Sequence, residues 1–167
     1  MKLKFQSNLQ YQNDAINSVV DIFKGQQSRQ SNFTVLNSSN VNENQQQVGI
    51  FYTNTGIGNS LDLTYDDVLE NVQKIQMRSN LKRSEKLEGM NFTVEMETGT
   101  GKTYVYLKTI YELNKNYGFT KFVIVVPSVA IREGVYKTLQ ITKEHFNSIF
   151  NNEPANYFLE ALLLLIR

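Results

Sequence analysis

The chain of 167 residues predicts an incomplete, doubly wound α/β fold: a parallel sheet with flanking helices and a phosphate loop at its carboxyl edge. Three stretches carry that expectation. Val94–Tyr104 reads V-E-M-E-T-G-T-G-K-T-Y, a short apolar run, a glycine turn, Lys-Thr and then helix-forming residues. Lys121–Val126 reads K-F-V-I-V-V, a near-continuous β-branched run of the kind buried on both faces in a parallel sheet. Pro127 ends that run, since it has no N–H to give a ladder, and a helical pattern resumes after it. Strand, loop, helix, strand is a right-handed crossover unit, and its ligand belongs at the carboxyl ends of the strands.

Bulk properties bound the answer without choosing it. Hydrophobic residues make up 41% and charged residues 20%, the balance of a globular domain with a core. A net charge of +1 gives no global field for nucleic acid, so any basic groove must be local. Cysteine is absent and there is one histidine, which excludes disulfides and makes a zinc-type site untenable. No apolar segment of signal-peptide length follows Met1–Phe5, and Ala161–Ile166 is far too short to span a bilayer. A soluble cytoplasmic protein with no membrane partner is the expectation.

Taken from the amino end, residues 1–24 read as a helical unit. Leu9, Ala15, Ile16, Val19, Val20 and Phe23 recur at three- and four-residue spacing, Ser7 or Asn8 offers a cap, and Gly25 closes the helix. A packing helix accounts for that face. Gln12 admits a sharper reading: its amide carries a donor and an acceptor, which match the edge of adenine, and an upstream aromatic such as Phe5 can stack on a purine. Residues 25–60 form a polar insertion rich in Gln, Asn and Ser, with too little apolar surface to offset its ordering; short extended pieces are expected at Phe33–Leu36 and Val48–Tyr52. Gly56 and Gly58 are followed by no lysine and make no second phosphate loop.

Residues 61–158 form the main lobe. Asp66–Gln76 places Val68, Leu69, Val72 and Ile75 on one helical face, with Thr64 or Asp66 at its start. Asp66 and Asp67 read as cap and dipole partners rather than a magnesium box, because they open a helix. Arg78–Lys86 is a basic segment, read as a solvated face ahead of a contact to a nucleic-acid backbone. Phe92–Met96 is the strand that should feed the phosphate loop. In that loop Thr98, Gly99, Thr100, Gly101, Lys102 and Thr103 are the ligand candidates. Glycines bring the backbone close to phosphate oxygens, Lys102 reaches the β- and γ-phosphates, and the Thr103 hydroxyl offers a Mg²⁺ position. Tyr104–Asn116 is the helix behind it, stopped near Gly118. Pro127, Ser128 and Arg132 then sit at the same carboxyl edge. They can hold a DNA phosphate, or Ser128 can simply cap its own helix. His145, on the helix that continues through Val135–Ile149, reads as a surface or packing residue. Residues 159–167 read as an atypical tail.

The string M-E-T-G-T-G-K-T, with Met96 where the commonest pattern has glycine, resembles motif I of superfamily-two helicases and translocases. Tyr11-Gln12 resembles the Q-motif that precedes it, with Gln10 where a basic residue is usual, and V-V-P-S-V-A-I-R-E-G-V resembles motif Ia. Together with N-V-Q-K-I-Q and Y-E-L-N-K-N-Y-G-F-T-K-F, these strings look very close to the restriction subunit of type III restriction–modification enzymes, from near Met1 to about Phe158. The resemblance implies a P-loop NTPase lobe of RecA-like fold that binds ATP and Mg²⁺. It also implies ATP-driven action on double-stranded DNA coupled to endonuclease cleavage, in complex with a modification methyltransferase subunit. An acidic motif II, a second lobe and a nuclease domain are absent from these residues. The resemblance therefore implies a fragment with no complete catalytic set and negligible turnover alone. A nucleotide-gated interaction module and an inert truncated product are the alternatives. A GTP-binding reading lacks its guanine motif, since Asn114-Lys115-Asn116-Tyr117 has no aspartate.

Overall fold

The computed structural model describes residues 8–28 and 59–150 and the backbone of 162–165. Its elements are α1 (Gln10–Val20) with a 3₁₀ turn at Asp21–Phe23, α2 (Tyr65–Arg78), α3 (Lys102–Tyr117), β1 (Val123–Val126), α4 (Val129–Ile149) and β2 (Leu162–Leu165). β1 and β2 pair in parallel, Val123 opposite Leu162 and Val126 opposite Leu165. Two parallel strands joined through a helix form a crossover unit, but not the one expected to end at Lys121–Val126. Nor is β1 buried on both faces: Val123 is 59% and Val125 48% exposed, because among the described residues only one face of this two-stranded ladder is covered.

Phe92–Met96 is not a strand: residues 91–97 take no place in a ladder. A strand exists only through a neighbour's backbone, and among the described residues β1 pairs with β2 alone. Phe92 and Val94 stay partly open to solvent, while Met96 alone of that run packs into the core with Ile16, Val105 and Leu113. Within residues 159–167, read as an atypical tail, Leu162–Leu165 form β2 of the sheet. An apolar run of four has the length of a strand, and the parallel edge of β1 satisfies its backbone. The extended pieces expected at Phe33–Leu36 and Val48–Tyr52 lie outside the described residues.

Three apolar clusters hold the rest together. Ile16 and Val20 of α1 pack on Val105 and Leu113 of α3 and on Phe119, so α1 lies along the helix that leaves the phosphate loop. Tyr104, Leu107 and Tyr111 of α3 meet Phe146 and Phe150 at the far end of α4. Ile22, Val68 and Val72 join the 3₁₀ turn to α2. Burial of this kind, at roughly 25 cal/mol per Å² of apolar surface, is what offsets the ordering of the helices.

The helix ends follow their local chemistry. Thr64 and Asp67 form a reciprocal capping box on α2, as expected of those residues. The bond from the Thr64 hydroxyl and then that from its N–H hold the Asp67 carboxyl below the usual range. Gly118 ends α3 in the left-handed conformation (φ 71°) and donates to the Asn114 carbonyl. The start of α1 departs from expectation. Leu9 is its N-cap and no side chain caps it; Asn8 lies too early for a helix that begins at Gln10, and Ser7 is outside the described residues. No helix among the described residues is long and apolar enough to cross a membrane.

Candidate nucleotide site

The phosphate-loop residues form a tight turn directly on the amino end of α3. Gly99 (φ 81°) and Gly101 (φ 83°) both adopt the left-handed conformation. That conformation costs an L-residue about 1–2 kcal/mol, so glycine is the residue the turn requires. A Cβ at Gly99 would meet open space, whereas one at Gly101 would lie 2.8 Å from Gln12 Nε2. Gly101 is thus constrained twice, by its own backbone and by a side chain from α1. Within the loop the Thr100 hydroxyl donates to the Glu97 carbonyl (2.7 Å). Val105 N–H makes the first bond of α3, to the Gly101 carbonyl. The amides of Lys102, Thr103 and Tyr104 belong to the first turn, whose N–H groups have no carbonyl of their own helix to meet. Those donors and the positive end of the helix dipole suit an anion.

Lys102 arches over the loop. Its Nζ donates to the Met96 carbonyl (2.7 Å) and the Glu97 carbonyl (2.8 Å). Two neutral acceptors hold the ammonium at the loop mouth while it remains exposed, and a phosphate oxygen is a stronger acceptor than either carbonyl.

Gln12 is buried, at 7% exposure, and its Nε2 donates to the Thr100 carbonyl at 2.9 Å across 88 residues of sequence. Its neighbour Asn13 accepts at Oδ1 from Lys108 Nζ (3.1 Å). Lys108, at 8% exposure, would be costly to bury without such oxygen partners. These two polar contacts and the Ile16–Val105 packing clamp α1 to the loop and its helix. Asn13 and Lys108 were missed by the sequence reading. Their signal is faint: a lysine among apolar residues on α3, and an amide directly after Gln12.

The residues after β1 behave differently. Pro127 ends the strand, and the Ser128 hydroxyl accepts from Ile131 N–H (3.3 Å) as the N-cap of α4. Arg132 reaches its own neighbour, with Nη2 donating to Glu133 Oε1 (3.0 Å). Ser128 therefore does what its helix asks of it, and Arg132 is held in an exposed pair. Thr98 and Thr103 lie in the loop and first turn as the motif requires. The buried Tyr106 hydroxyl lies toward Thr103 without reaching hydrogen-bond geometry.

His145, read from sequence as a packing or surface residue, is in contact with the first turn of α3. Its Nε2 shares a hydrogen bond with the Tyr104 hydroxyl at 2.9 Å. Burial, and then the charge of Lys108, push the imidazole below the ordinary histidine range, so the ring is held neutral. Burial pushes the Tyr104 hydroxyl up, so it keeps its proton. No group of three or more histidine, aspartate or glutamate side chains suited to a metal ion is present among the described residues. The donor set at the loop fits a triphosphate that brings its own cation: one ammonium, a row of helix amides and a threonine hydroxyl.

The family model described as "Type III restriction enzyme, res subunit" matches residues 6–160. The chain is 30% identical over 162 residues to the type III restriction-modification enzyme EcoPI Res subunit of Escherichia phage P1, covering 94% of this chain and 15% of that protein. It is 38% identical over 99 residues to the EcoP15I Res subunit of Escherichia coli, covering 58% of this chain and 10% of that relative. With the StyLTI Res subunit of Salmonella typhimurium it shares 50% identity over 64 residues, 37% of this chain and 6% of that one. The chain thus spans a small part, 15% or less, of the length of the relatives it matches.

Proposed function

Since this chain belongs to the type III restriction enzyme Res-subunit family, we propose that it is the amino-terminal, nucleotide-binding part of an ATP-dependent DNA translocase that serves a restriction endonuclease. The observation that carries the reading is convergence. Gln12 of α1, the Thr98–Gly101 turn and Lys102 of α3 come from segments almost ninety residues apart and meet at one helix amino terminus.

The roles follow from the chemistry of each group. Amides of the loop and of the first turn of α3 take phosphate oxygens, and glycine at 99 and 101 lets them approach. Lys102 exchanges the Met96 and Glu97 carbonyls for the β- and γ-phosphates. Thr103 holds Mg²⁺, which, when bound, neutralises charge on the phosphates. Gln12, already anchored on Thr100, presents the remaining edge of its amide to the adenine. Pro127, Ser128 and Arg132 form the edge that takes a phosphate of double-stranded DNA, Arg132 leaving Glu133 to do so. A modification methyltransferase is the partner that recognises the site. Positioning and charge neutralisation across two lobes drive phosphoryl transfer. This chain accordingly binds Mg-ATP and turns it over negligibly by itself.

Titration of the chain with a non-hydrolysable ATP analogue and Mg²⁺, followed calorimetrically, tests the reading. Wild type is expected to bind one equivalent. Lys102→Ala removes charge-assisted bonds worth about 1.5–3 kcal/mol each, a loss of roughly tenfold or more per bond. Equal affinity of the two proteins would overturn the assignment. Detectable Lys102-dependent ATPase from the isolated chain would overturn the view that it is catalytically incomplete.

A further inference from the structure

Tyr104 follows Thr103 directly and belongs to the first turn of α3. Its side chain turns away from the loop into the cluster shared with α4, where it is 8% exposed. There its ring stacks on Phe146, with centroids 5.3 Å apart and planes at 26°. Its hydroxyl meets His145 Nε2 at 2.9 Å. Tyr111, two turns on, packs on Phe146 and Phe150 at 4.8 and 5.1 Å. The aromatic contacts set the distance between the helices and accept a range of offset geometries, where a hydrogen bond is held to a narrow distance and angle. The Tyr104–His145 bond is a directional contact between α3 and α4, and it ties the register of one to the other.

The other end of the same helix is the loop at Pro127–Arg132. α4 runs from Val129 to Ile149 as one α-helix, capped by Ser128 and containing no proline. Such a rod transmits a shift at one end to the other, and close-packed interiors pass on small displacements rather than absorb them. The first-turn amides of α3, that of Tyr104 included, are the groups a phosphate would take. A ligand there sets the position of Tyr104, and Tyr104 holds His145.

We infer that His145 and Tyr104 are positioning residues that link nucleotide occupancy of the loop to the DNA-facing edge at Pro127–Arg132 through α4. This inference rests on the proposed function, and one set of measurements separates the two. The affinity of the full chain for a short fluorescein-labelled DNA duplex is measured with and without a saturating ATP analogue and Mg²⁺. Nucleotide affinity is measured reciprocally with and without duplex.

Wild type is expected to show the two ligands changing each other's affinity by about fivefold or more, by the same factor in both directions. Tyr104→Phe keeps the stacked ring and removes only the hydroxyl. It and His145→Leu are expected to bring the coupling factor to one, and His145→Leu to do so with each ligand's affinity alone at the wild-type value. His145→Gln puts an amide near the position of Nε2 and is expected to retain coupling. A residue that merely fills the core would lower the melting temperature without changing this factor. Wild-type coupling in both Tyr104→Phe and His145→Leu overturns the inference, as does independent binding of the two ligands to wild type. Failure of wild type to bind nucleotide or duplex at all overturns the proposed function, and the inference with it.

Discussion

Two loops, Thr98–Thr103 and Pro127–Arg132, look alike in sequence terms: each precedes a helix and offers a hydroxyl, helix amides and a cation. They are built differently. The first is held from outside. Gln12 arrives from another helix to bond Thr100 and crowd Gly101; within that loop only Lys102, on the Met96 and Glu97 carbonyls, has local partners to give up. The second is satisfied from within, Ser128 by Ile131 three residues on and Arg132 by its immediate neighbour Glu133. Groups fixed by distant parts of the chain are preorganised, and their ordering cost is met in folding rather than in binding. Groups satisfied by neighbours must give up a local partner before they bind anything. The first loop therefore suits tight, geometry-dependent binding, and the second suits contacts that form and break.

The largest effects should come from disturbing the outside support. Gly101→Ala places a methyl 2.8 Å from a buried, bonded amide and puts alanine at φ 83°. The backbone term is about 1–2 kcal/mol, and displacing Gln12 from Thr100 adds roughly 1 kcal/mol for the lost hydrogen bond. Denaturant unfolding should show a combined loss of about 2–3 kcal/mol. Adding Gln12→Ala should recover the steric part and not the backbone part, so the two changes are strongly non-additive. Strict additivity would mean that Gln12 and Gly101 do not constrain each other, and the contrast between the loops would lose its basis.

That contrast also marks what sequence could and could not disclose. The turn at Gly99–Gly101 and the helix start after it were legible because their requirements are local: glycine where φ is positive, Lys-Thr at a helix start. The cap at Thr64 and the stop at Gly118 were legible for the same reason, though the reciprocal bond from Asp67 was not read. The contact of Gln12 with Thr100 was not, because the residues as read pointed to adenine and nothing in spacing says which edge of an amide the fold will engage. Asn13–Lys108 and Tyr104–His145 join elements far apart in sequence, and such pairings leave no periodic trace. The strand expected at Phe92–Met96 failed for a related reason. An apolar run shows that a segment can be extended, but a ladder needs a neighbour, and β1 takes its described partner from Leu162–Leu165 instead.

A smaller effect should separate the two duties of the second loop. Arg132→Ala is expected to weaken duplex binding modestly at every sequence tested and to reduce the slope of log affinity against log salt by about 1, the signature of one lost phosphate contact. Thermal stability should hardly change, since the Arg132–Glu133 pair is exposed and such pairs contribute little. Ser128→Ala should do the reverse in part, costing about 1 kcal/mol of stability through the lost N-cap. If Arg132→Ala left the salt dependence of duplex binding untouched, this edge would be a capped helix start and nothing more.

The smallest expected effect concerns the contact that joins the two regions. His145 is the sole histidine of the chain, so titration near neutral pH reports on it without interference from another imidazole. Burial and the Lys108 charge hold its folded value below the ordinary one of about 6.5. As pH falls, the unfolded chain therefore takes up the proton first. Over that interval the unfolded state binds more protons than the folded state, so stability falls with falling pH. The contribution is complete above the ordinary histidine value and is lost as pH drops through the lower, folded one. Melting temperature measured from about pH 7.5 down to about pH 5.5 should decline slightly in wild type and stay flatter in His145→Gln, which keeps a polar partner for Tyr104 and cannot take a proton. The Asp67 capping box titrates below this window, because its carboxyl is held under the usual carboxylate range, and it leaves the comparison clean. Parallel profiles for the two proteins would show that the imidazole is not kept neutral by its surroundings. The bond between Tyr104 and His145 would then be no more rigid than the surface pair on Arg132.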